Sequence, residues 1–241
     1  MNCREVLPNI FQRRKGRPND IQFWAVGQAV DLRSRMEKVL DPNNAPKGAN
    51  PELAVFDCQA CHHAMTQLQW QKRQAIGLGP GRLRLYDASA VMLRTIAARV
   101  APDTAKELND HLVALHRATT EKGDYWAGVQ REATALKDIA NKLVPVLSKH
   151  EFNQADAKAL AQAVIAQATG GEDLDYSAAQ QQTMALGSIF TAMRGLGFAN
   201  EGQLKALDDA LGSVYEAAAN DQTYRPEKFA QALKEVEAKL P

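Results

Sequence analysis

The sequence predicts an all-α fold, and three observations carry that expectation. The chain has 40 Ala beside only 15 Gly and 10 Pro, and aromatic residues make up 6%. That composition suits helices packed through short side chains better than a sheet core. Apolar residues recur at intervals of three and four, as in Val91, Leu93, Ile96 and Val100, or Leu136, Ile139, Leu143, Val144 and Leu147. This is the stripe of an amphipathic helix, and no stretch reads convincingly as a strand.

The elements follow in order. After the basic run Arg13-Arg14-Lys15-Gly16-Arg17-Pro18, Asp20 is the expected N-cap of a helix through Val39, with Phe23, Val26, Val30 and Met36 on one side. Residues 41–50 are rich in Pro, Asn and Gly and read as a surface loop. A short section from Pro51 to Arg73 holds the two closely spaced cysteines and two of the five histidines, and Gly77-Leu78-Gly79-Pro80-Gly81-Arg82 breaks the chain again. From Asp87 onward helices are expected near 87–100, 103–121, 124–149, 153–168, 176–194, 201–219 and 226–239. Pro226 in a first turn and Gly170-Gly171 after a helix obey the usual start and stop asymmetry.

With 241 residues, 45% hydrophobic and 24% charged, the chain has the make-up of one large or two small globular domains. Disorder, collagen and disulfide scaffolds are excluded. No stretch approaches the roughly 18 to 20 apolar residues of a membrane-spanning helix, so no transmembrane segment is expected. Met1 to Pro8 carries no apolar h-region and no small-residue cleavage site, hence no export signal, and taken literally the chain stays in the cytoplasm. A net charge of +1 argues against nucleic acid as the partner. The charge is unevenly placed: residues 1–86 carry 13 Lys+Arg against 7 Asp+Glu, and residues 87–241 carry 16 against 21. The chain therefore divides into a basic front section, 1–86, and an acidic helical bundle, 87–241.

The chemistry lies in Cys58-Gln59-Ala60-Cys61-His62, a C-x-x-C-H run and the attachment signature of c-type haem. On a helical turn, thiols three residues apart share a face and can each add to one vinyl group of a porphyrin edge. His62 is rotated away from both sulfurs and is the expected proximal iron ligand. His63 leaves the same turn in another direction. It can serve as distal ligand of a neighbouring haem, or hydrogen-bond a propionate or solvent. Two other uses of the cysteines stand beside haem. A thioredoxin-type dithiol wants a βαβ pattern that is missing here, and zinc held by Cys58, Cys61, His62 and His63 lacks a second ligand knuckle. Cys3 belongs to none of these schemes.

On the far side of the ring, His111, His116, His150, Met65 and Met92 are all available and none is marked by spacing. Trp24, Phe56, Leu68 and Trp70 could wall the macrocycle, or simply be helix core. Lys72, Arg73, Arg82 and Arg84 could neutralise propionates, or form a solvated basic loop.

Phe23-Trp24-Ala25-Val26-Gly27-Gln28-Ala29-Val30, the Pro-rich loop, Phe56-Asp57-Cys58-Gln59-Ala60-Cys61-His62-His63 and Gly79-Pro80-Gly81-Arg82 together resemble the last haem-binding section of cytochrome c-554-like multihaem cytochromes. The likeness covers residues 20–95 by motif and the Ala-rich tail by texture. It implies an exported, periplasmic parent protein that binds several covalent haems and passes electrons between redox partners. It also implies that this chain is the C-terminal part of that parent, since further C-x-x-C-H runs and an export signal are absent from the sequence. Cys58, Cys61 and His62 carry over, with His63 more loosely.

The expected function is electron transfer through covalently attached haem c, with the upstream haem domains or a redox protein as partner. The acidic tail suits a basic redox partner, because complementary charge speeds encounter. No Ser/His/Asp arrangement, phosphate-cradling loop or paired-carboxylate spacing stands out, so the expectation is a carrier rather than an enzyme. Two alternatives remain open: a haem-free or zinc-binding helical interaction module, and an open-coordinate haem enzyme acting on a small nitrogen or oxygen ligand.

Overall fold

The computed structural model describes residues 19–44, 55–57, 84–120, 125–170 and 175–241. Among them are eight helices: α1 Asp20–Leu40, α2 Ala88–Val100, α3 Pro102–Ala118, α4 Tyr125–Lys149, α5 Gln154–Thr169, α6 Tyr176–Gly195, α7 Glu201–Ala217 and α8 Pro226–Glu237. The expected all-α class is the observed one. None of these helices is long and apolar enough to cross a membrane. Besides the helices, the described residues contain a single antiparallel bridge, Phe56 with Leu85.

Local chemistry sets the helix starts. Asn153 and Asn200 form capping boxes with Asp156 and Gln203, satisfying donors that a bare first turn leaves open. Pro102 and Pro226 occupy first-turn positions, where a missing N–H does no harm. At α1 the cap is Asn19 and not Asp20. Its Oδ1 accepts from the Ile21 N–H while its Nδ2 donates to the Phe152 carbonyl, and an aspartate could not supply that second bond.

The buried residues of α1 include Ile21, Trp24, Ala25, Val26, Ala29, Leu32, Met36 and Val39; of the expected side, Val26 and Met36 are buried, whereas Phe23 and Val30 are only half-buried. Two-sided packing explains the difference, since α1 lies along α4 and also touches α2 and α6. In α4 the expected stripe is the observed one, with Leu136, Ile139, Leu143 and Leu147 buried and Val144 at its margin. A single core runs from Ile21 in α1 to Val236 in α8, with Phe190, Phe229, Leu93 and Leu136 fully buried. The change of charge sign near residue 86 does not coincide with a break in this core.

Hydrogen bonds fix the helix directions. The Gln22 amide in the first turn of α1 donates to the Ser148 and His150 carbonyls at the end of α4, at 2.9 and 3.1 Å. Thus α1 and α4 are antiparallel. Arg94 of α2 meets Asn109 of α3, and Arg99 near the end of α2 meets Asp156 at the start of α5. Gln154 at the start of α5 reaches the Phe198 carbonyl just after α6. Tyr224, before α8, packs edge-on against Tyr176 at the start of α6, ring centroids 5.5 Å apart. The eight helices therefore alternate up and down. One pole of the bundle collects the ends of α1, α3, α5 and α7 and the starts of α2, α4, α6 and α8.

Candidate functional site

The candidate site residues Cys58, Cys61, His62 and His63 lie outside the described residues, as do Met65, Leu68, Trp70, Lys72, Arg73 and Arg82. What is described is the frame on both sides of them. Val55, Phe56 and Asp57 lead into the span 58–83, and Arg84, Leu85 and Tyr86 lead out. These two short segments pair: the Asp57 N–H donates to the Arg84 carbonyl at 2.8 Å, and the Tyr86 N–H to the Val55 carbonyl at 3.1 Å. Phe56 and Leu85 belong to the common core. The segments that flank the motif-bearing span thus pair with each other, on the pole defined above.

Charge reinforces this neck. The Arg84 guanidinium donates to the Asp57 carboxylate and reaches Asp175, the N-cap of α6, at 3.2 and 3.3 Å. Ser177 adds a hydroxyl bond to Asp57 at 3.3 Å. Asp57 and Arg84 are both buried. A buried guanidinium flanked by two carboxylates is held by charge-assisted bonds in its planar fork. Arg84 therefore has two carboxylate partners within the protein and is buried, which corrects the reading of a solvated loop at this position.

Tyr86 follows the bridge with the Arg35 guanidinium 4.0 Å over its ring, a cation–π contact that ties the exit of the span to α1. Burial pushes the Tyr86 phenol above its ordinary range against the opposing pull of Arg35, and does the same more strongly to Tyr224, where the Asp175 and Glu227 charges add to it. Both rings stay neutral near pH 7. Trp24 and Phe56 are buried in the bundle core, and Met92 is wholly buried inside α2.

The three described histidines each meet a carboxylate. His111 Nδ1 lies 2.8 Å from Glu132, His150 Nε2 lies 3.0 Å from Asp156, and His116 Nε2 lies 3.0 Å from Asp87. Burial raises the Glu132 and Asp156 carboxyls, but hydrogen bonds from His111 and Arg131, and from Arg99 and His150, outweigh it and leave both below the usual range. Exposure separates the three. The His111 and His150 side chains are 37% and 31% exposed, whereas that of His116 is 0% exposed. Its Nδ1 is buried with no hydrogen-bond partner among the described residues. Asp87, which receives Nε2, stands three positions after Arg84.

Among the described residues, no group of three or more His, Cys, Asp or Glu side chains could hold a metal ion. The sequence signals Asp57 only through its place beside Cys58. It gives no sign of Asp87 with His116 or of Asp175 with Arg84, because those partners are 29 and 91 positions apart. No family model matches the chain, and no curated protein or solved structure matches it either.

Proposed function

We propose that the chain is an electron carrier built around one covalently attached haem c, the terminal section of a periplasmic multihaem cytochrome of the c-554-like kind. The observation that carries this reading is the Cys58-Gln59-Ala60-Cys61-His62 run. Its donor set suits the group: two thiols able to form thioethers with the vinyl groups, followed at once by an imidazole able to take the iron.

Bound haem supplies a one-electron couple at iron. The protein supplies the rest. Cys58 and Cys61 would hold the ring by bonds that no equilibrium releases, and His62 would hold its metal. The paired neck at Asp57 and Arg84 ties both ends of the attachment span to the helical bundle, and a site held in place needs little rearrangement when its charge changes. The partner would be a redox protein or the haem domains of the parent cytochrome, docking at the pole where Asp57 and Arg84 bracket the attachment span.

The test is to produce the chain in a periplasm equipped for haem attachment and to measure a pyridine haemochrome spectrum and the intact mass after denaturation. A c-type spectrum with one haem's added mass is expected. Protein exported beside a control cytochrome that does acquire haem, yet itself free of it, would end the proposal.

A further inference from the structure

We infer that Met184 is a reversible oxidation site, at which peroxides convert the thioether to the sulfoxide while the helical bundle stays folded. The inference does not depend on the haem reading.

Burial separates the methionines. Met36 of α1, Met92 of α2 and Met193 of α6 are 2%, 0% and 0% exposed, whereas Met184 of α6 is 56% exposed. Oxidation of a thioether requires the oxidant to reach the sulfur, so a core methionine reacts only as often as the fold opens around it. Met184 needs no opening. Its neighbours Thr183 and Ala185 are buried, so the helix is anchored on both sides of a side chain that stands on its outer face. Met1 and Met65 lie outside the described residues.

The surroundings give the change a consequence. One turn along the same face of α6, a Cβ added at Gly187 would meet the Tyr215 hydroxyl at 2.9 Å, so this tyrosine of α7 reaches across to α6 beside Met184. Tyr215 is 51% exposed, and the two large side chains share one patch of the outer surface. A sulfoxide turns the flexible apolar member of that patch into a polar one. The core methionines keep their packing.

The step balances with a peroxide as the only co-reactant. A sulfur lone pair attacks one oxygen of hydrogen peroxide, and the S–O bond forms as the O–O bond breaks. The departing hydroxide takes the proton from the transferred oxygen and leaves as water. Sulfur is oxidised and the peroxide reduced, each by one electron pair.

The test pulses the full chain with hydrogen peroxide, quenches with catalase and locates the added oxygen by peptide mass spectrometry. Met184 is expected to be oxidised about tenfold or more faster than Met36, Met92 and Met193, because only its sulfur is reached without opening. The far-ultraviolet circular dichroism should not change. Methionine sulfoxide reductases A and B, one for each epimer, should together restore the unmodified Met184 peptide from the folded protein. Oxidation of the three buried methionines at the rate of Met184 would overturn the inference. So would unfolding on modification of Met184 alone, or a sulfoxide there that the reductases remove only after denaturation.

Discussion

Asp57 and Arg84 are joined twice, by a backbone bond from the Asp57 N–H to the Arg84 carbonyl at 2.8 Å and by an ion pair between their buried side chains. The 26 residues between them are thus bracketed by a paired neck. A bridge of this size would fray in water, so its persistence depends on Phe56 and Leu85 packing beneath it and on Asp175 and Ser177 anchoring it to α6.

Replacing Arg84 by Met should therefore destabilise the protein by about 3–5 kcal/mol, because two carboxylates lose the buried cation between them. Arg84→Lys keeps the charge without the planar fork and should cost roughly half as much. Urea unfolding followed by circular dichroism measures both. Equal effects of the two changes would show that geometry contributes nothing.

Cys58→Ala should leave haem attached through a single thioether, visible as a shifted haemochrome band with the haem mass retained. The Cys58→Ala/Cys61→Ala double variant should release haem on denaturation. His62→Ala should abolish low-spin binding even where the thioethers form. Unchanged spectra in all three would remove the motif from the chemistry.

Asp156 ties α2 to α5 through Arg99 at 2.7 Å and holds His150 at 3.0 Å. Its carboxyl lies below the ordinary 3.8, so the stability it contributes is complete above that value and is lost as the pH falls through the lowered one. Asp156→Asn should cost about 1–3 kcal/mol at pH 7 and flatten the decline in stability below pH 3.8. Denaturation midpoints between neutral and acid pH check both parts. A wild type whose stability does not fall in acid would contradict this.

Pro145 sits inside α4 on its exposed side, where it cannot donate to the Asn141 carbonyl. Pro145→Ala should raise stability by about 1–2 kcal/mol, the helix gain less the freedom restored to the unfolded chain. A thermal unfolding midpoint that does not rise would contradict this.

Much of the fold is legible in the sequence because its signals are local. Alanine content, apolar spacing in α4, and Pro226 and Gly170 at helix ends each act within a turn or two of their own position. The half-burial of Phe23 and Val30 in α1 has the opposite cause. The orientation of α1 is set by helices that follow much later in the chain, and Asn19 is the cap because Phe152 offers a carbonyl. The site divides in the same way. The motif from Cys58 to His62 is contiguous and reads directly, whereas the Arg84 cluster and the pair of His116 with Asp87 arise only when distant helices meet at one pole.

Because the pairing of Asp57 with Arg84 already brings the ends of the 58–83 span together, the loop-closure entropy between them grows only slowly with length, by about 0.6 kcal/mol per doubling. A longer or shorter chain between Asp57 and Arg84 would therefore alter the closure cost of the neck only slightly, leaving the ion pair and the Phe56–Leu85 bridge to set how firmly it holds.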